Sequence, residues 1–133
     1  MLVENVRKLS CATVVKLDED LLKVTVDSEA VIDIEQMEEI SEAYNGLMGP
    51  EKPFYILTVL PNDLNPSKEL RAYWRRPERS RRKRAEAVVI KGIAMAIIAN
   101  FVSRFERPQH RIEYFKNEKE AAMWIEQVRS QEN

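Results

Sequence analysis

The sequence is poor in the residues that most often anchor chemistry. It has one cysteine, Cys11, and one histidine, His110. A lone cysteine excludes an intramolecular disulfide and a cysteine-based metal cluster, and a lone histidine would need carboxylate partners that the spacing does not supply. Neither residue sits in anything like a nucleophile elbow. Cys11 is therefore expected as a buried structural thiol and His110 at a loop or strand edge. Only three glycines occur, Gly46, Gly49 and Gly92. None belongs to a GxGxxG or GxxxxGKS pattern, which excludes nucleotide binding of those kinds. No stretch approaches the roughly 20 apolar residues of a membrane span. The opening MLVENVRKLSCATVV scatters acidic and basic residues where a signal peptide would place a basic region before an apolar run. A cytoplasmic protein with no membrane association, metal or cofactor is the expectation.

A chain of 133 residues fits one domain, 1–133, with a single core. Its net charge of −1 hides an asymmetry, because residues 1–66 carry 5 Lys and Arg against 13 Asp and Glu while residues 67–133 carry 16 against 9. Such a dipolar chain can attract copies of itself as readily as a foreign polyanion.

The stretch AEAVVIKGIAMAIIANFVSRF, residues 85–105, organises the rest. Glu86 to Ile90 is a short burst rich in Val and Ile, typical of a strand covered on both faces. From Ile93 the apolar spacing becomes helical, so a strand feeds directly into a helix and parallel-sheet architecture is implied. Upstream, ATVVKLDEDLLKVTV reads as a hairpin around Asp18-Glu19-Asp20, its second run alternating in the manner of a strand with one wet face. Asp33 and Gln36 form a capping box for a helix from Ile34 to about Met48, which Gly49-Pro50 ends. FYILTVL, 54–60, is a buried strand, and a helix is expected to start near Asn65-Pro66-Ser67 and stop at Pro77. A last strand, Arg111 to Phe115, precedes a final helix capped at Asn117 with Ala121, Trp124, Ile125 and Val128 on its inner face. The order is ββαβαβαβα, an α/β domain with a mostly parallel five-stranded sheet.

With that order, residues 85–125, AEAVVIKGIAMAIIANFVSRFERPQHRIEYFKNEKEAAMWI, resemble the STAS-like fold. This is the small α/β domain of sulfate transporters and anti-sigma-factor antagonists, and the closer likeness is to uncharacterised bacterial members. The resemblance implies a non-enzymatic domain with a regulatory or scaffolding role through protein–protein interaction. In phosphorylatable members a Ser lies between the third strand and the second helix. The equivalent loop here, LPNDLNPSKE, offers Ser67 as its only hydroxyl, without the cluster of Ser, Thr and Asp that surrounds the acceptor in those regulators. Ser67 is the phospho-acceptor that the resemblance implies, and an N-terminal helix residue on its own reading.

One motif stands above background. Between Lys68 and Arg84 lie nine cations, among them Arg75, Arg76, Arg79, Arg81, Arg82, Lys83 and Arg84, beside Tyr73 and Trp74. Charge with stacking groups is what a polyanion or nucleic-acid site uses. The competing reading is a solvated segment whose arginines pair with the acidic half of the same or a neighbouring chain, and a pI near 6 weighs against nucleic acid. A small apolar ligand between sheet and helix is a third reading. Finally, the 92–105 helix is apolar all round, with Met95, Ala96, Ala99 and Val102 on the side away from the sheet, so a homodimer contact is expected there.

Overall fold

In the computed structural model the residues described are 5–28, 32–62, 82–90 and 111–132. They form β1 (Val6–Lys8), β2 (Ala12–Asp18), β3 (Leu21–Val26), α1 (Ile34–Met48), β4 (Phe54–Val59), β5 (Lys83–Val89), β6 (Arg111–Phe115) and α2 (Glu118–Glu132). The strands lie side by side in chain order, β1-β2-β3-β4-β5-β6, in one sheet. The β1–β2 and β2–β3 pairs are antiparallel, and the three pairs from β3 to β6 are parallel. The fold is thus a single-domain α/β fold on a mixed sheet. Six strands replace the expected five, because Val6, Arg7 and Lys8 pair with Val15, Val14 and Thr13 along the outer edge of the hairpin. The two helices expected near residues 66–76 and over 92–105 lie outside the described residues.

Local chemistry accounts for the elements. The Asp33 side chain accepts from the N–H of Ile34 at 2.8 Å while the Gln36 side chain accepts from the N–H of Asp33 at 2.9 Å, the reciprocal capping expected. Gly49 closes α1 at φ 89° and ψ 158°, a conformation that L side chains rarely adopt. At the other helix, Asn117 Oδ1 accepts from the N–H of Glu120 at 2.9 Å.

Because strand side chains alternate, β4 feeds two cores. Phe54 and Ile56 join Val14, Leu22 and Val24 beneath Met37, Ile40, Tyr44 and Leu47 of α1. Tyr55, Leu57 and Val59 join Ala85, Ala87 and Val89 beneath Ala121, Ile125 and Val128 of α2. Val88 and Ile90, with Ile32, Leu60, Ile112 and Tyr114 against them, form a smaller third cluster among the described residues. Among the described residues no helix is long and apolar enough to cross a membrane.

Candidate functional site

The basic run enters the sheet earlier than its charges suggest. β5 begins at Lys83 and not at Glu86, so Lys83 and Arg84 are strand residues. The β4–β5 pairing shifts register here, from Phe54 opposite Lys83 to Tyr55 opposite Ala85, and this irregularity sets Lys83 and Arg84 on different faces while Arg84 and Ala85 share one. Arg82 donates from Nε to the Lys52 carbonyl at 3.2 Å and also binds Asn45 Oδ1 and the Gly49 carbonyl. Its guanidinium carbon stands 5.2 Å from the Phe54 ring centroid. A cation on the last carbonyls of α1 sits at the negative end of the helix dipole. Lys83 turns to the α1 side, with Nζ 3.5 Å from Glu86 Oε1 and 5.8 Å from the Tyr44 ring centroid. Arg84 turns to the α2 side, with Nη1 3.3 Å from Glu132 Oε1. Hydrogen bonding to Tyr55, and secondly to Glu132, raises its pKa. The structure therefore keeps Arg82 and Lys83 by the α1 layer and sends Arg84 to α2. Arg75, Arg76, Arg79 and Arg81 lie outside the described residues, as do Ser67, His110, Met95, Ala96, Ala99 and Val102.

Two polar clusters escaped the sequence reading. The first is buried on the α1 side, where Thr58 Oγ1 donates to Glu86 Oε2 at 2.7 Å and Lys83 approaches the other oxygen. The Lys83 and Glu86 side chains are only 10% and 11% exposed. Burying a carboxylate is costly unless it is paired, and here an ammonium and a hydroxyl supply the pairing across β4 and β5. A glutamate placed within an apolar strand was the available signal; its partners could not be read from spacing.

The second joins α2 to the β2–β3 turn. Arg129 Nη2 lies 2.9 Å from Asp18 Oδ2 and 2.7 Å from Asp20 Oδ1, and Nη1 pairs with Glu126. Arg129 is raised above the usual arginine range, first by its bond to Asp18, and Asp18 is lowered, first by its bond to Arg129. At the opposite end of the helix, Lys23 Nζ meets Glu118 Oε1 at 2.5 Å. Beside Arg84, the buried Tyr55 hydroxyl donates to Glu132, and burial followed by that bond pushes its pKa up.

Cys11 is buried, as expected. Burial first and the neighbouring Glu39 second push its thiol up, while Ser10 Oγ donates to Glu39 at 2.7 Å. A thiol held protonated in this way is a poor nucleophile. Among the described residues no group of three or more His, Cys, Asp or Glu could hold a metal ion.

Residues 15–129 match the family described as a domain of unknown function, DUF7793. The chain belongs to this family. No curated protein and no solved structure matches it. The DUF7793 match begins within β2 and ends at Arg129, so it takes in Asp18, Asp20, Glu86 and Arg129 and leaves β1 outside.

Proposed function

We propose that this DUF7793 domain is a STAS-like, non-enzymatic module of the cytoplasm that works as a homodimer and binds a protein partner. The hairpin followed by αβ steps, laid out in chain order across the sheet, supports the STAS-like reading. The observation that carries the binding reading is the surface of the hairpin. α2 lies over β4, β5 and β6, and in β2 Leu17, at 51% exposure, stands unpaired at the register shift between Lys16 and Asp18, one step beyond half-buried Val15. Exposed large apolar side chains, Leu17 on β2 and Met123 on α2 at 64% exposure, offer contact area to a macromolecule. The ionisable groups described above meanwhile hold elements of the fold together. Pull-down from the source cytoplasm with the unmodified protein and with Leu17→Asp tests the reading. A captured protein lost with Leu17→Asp is expected, and light scattering should return twice the chain mass. Turnover of a metabolite by the highly purified protein, or capture that ignores Leu17→Asp, overturns it.

A further inference from the structure

The two described helices are fastened to the sheet by different forces. α1 buries Met37, Ile40, Ala43, Tyr44, Leu47 and Met48, whereas α2 buries only Ala121, Ile125 and Val128. Buried apolar area scales with side-chain size, so α2 draws a smaller share of its anchorage from fully buried side chains, although Trp124 packs partly buried against Phe115. What it has in addition is charge at both ends. Glu118 meets Lys23 of β3, and eleven residues on, Arg129 meets Asp18 and Asp20 at the hairpin turn. The first contact is open to solvent, with Lys23 and Glu118 30% and 45% exposed, and the second reaches solvent through Asp18 at 55% while Arg129 is 15% exposed. The contacts of Arg82 with the end of α1 go instead to neutral carbonyl and amide oxygens.

We propose that α2 is a salt-releasable cover over the β4–β6 face, opening as one unit while the α1 layer stays folded. Salt shortens the reach of a charge from about 10 Å at 0.1 M to about 3 Å at 1 M, and this weakens pairs at the surface most. The helix can leave intact because its cap travels with it: Asn117 binds the N–H of Glu120 within the same short segment. Only Lys116 and Asn117 separate β6 from α2, and they form the hinge. The opened form presents Tyr55, Leu57, Val59, Ala87 and Val89 as a continuous apolar strip. Local opening of this kind follows from small buried side chains and a low local cost of release.

Hydrogen exchange on the full chain, resolved to residues 121–128 and 40–47, decides the matter. At 0.1 M NaCl the α2 amides should exchange at least about tenfold faster than those of α1, and 1 M NaCl should add about threefold to α2 alone. Arg129→Met should raise α2 exchange about tenfold, leave 40–47 unchanged and remove part of the salt response, the Lys23–Glu118 and Arg84–Glu132 pairs keeping the rest. The paired surface variant Lys23→Met with Glu118→Gln reads the same response at the other end of the helix, and it cannot leave a buried charge unpaired. The two segments exchanging in step, an α2 rate indifferent to salt, or a paired variant that keeps the full salt response would overturn the proposal.

Discussion

The two sides of the sheet solve one problem in different ways. On the α1 side large side chains interlock, with Tyr44 and Phe54 meeting edge to face at 5.5 Å and 61°. On the α2 side the strands contribute alanines, Ala85 and Ala87, opposite Ala121, and small residues bring helix and sheet close without much area. Charge at the margins then sets the helix in place. Shape complementarity fixes the first layer and electrostatic placement fixes the second, so the two layers should respond to different perturbations.

The largest effect is expected where packing alone holds. Phe54→Ala removes a ring that is 2% exposed and lies against both Tyr44 and Arg82, and unfolding by urea should show a loss of about 3–5 kcal/mol. A loss below about 1 kcal/mol would show that the α1 layer is not packed as described. A smaller effect is expected at the end of the same layer. Gly49→Ala meets no atom within 4 Å of the added Cβ, so its cost is conformational and should be about 1–3 kcal/mol at φ 89°. The third effect is confined to the α2 side. Asp18 has its folded pKa lowered by Arg129, so its contribution is complete above the ordinary value of 3.8 and is lost as pH falls through the lower folded value. The Trp124 indole resonance should report loosening of α2 in that acid window while amides 40–47 stay protected, and Asp18→Asn should abolish the step.

Much of this frame could be read along the chain, because its determinants are local. The Asp33–Gln36 cap, the Gly49-Pro50 stop, the alternation of Leu22 and Val24, and the apolar run of β4 each need only a few neighbouring residues. β1 could not be read that way. Val6, Arg7 and Lys8 carry no alternation of their own and become a strand through pairing with residues 13–15. The start of β5 was hidden for a related reason. Lys83 and Arg84 look like the tail of a basic run, and what admits them to a strand is Glu86 on one side and Glu132, 48 residues away, on the other. The clamp on α2 is more distant still, since Arg129 and Asp18 are 111 residues apart and neither has a neighbour in sequence that announces the other. Sequence reasoning took the basic run as one surface feature, whereas the register shift at the start of β5 divides its last residues between the faces.

The order of strands in the sheet is the order of synthesis. Each new strand therefore emerges next to the edge it will extend, and the growing chain never waits for a distant segment to insert between two strands already made. β1 and β2 can pair first, β3 can join them, and every later strand adds to an edge that is already in place. The contacts of Arg129 with Asp18 and Asp20 and of Glu118 with Lys23 are of another kind, for they join the β2–β3 hairpin to the last described helix. A ribosome could deliver the six described strands in sequence, whereas these ion pairs wait until α2 has left the exit tunnel, so they can close only over a sheet that is already laid down.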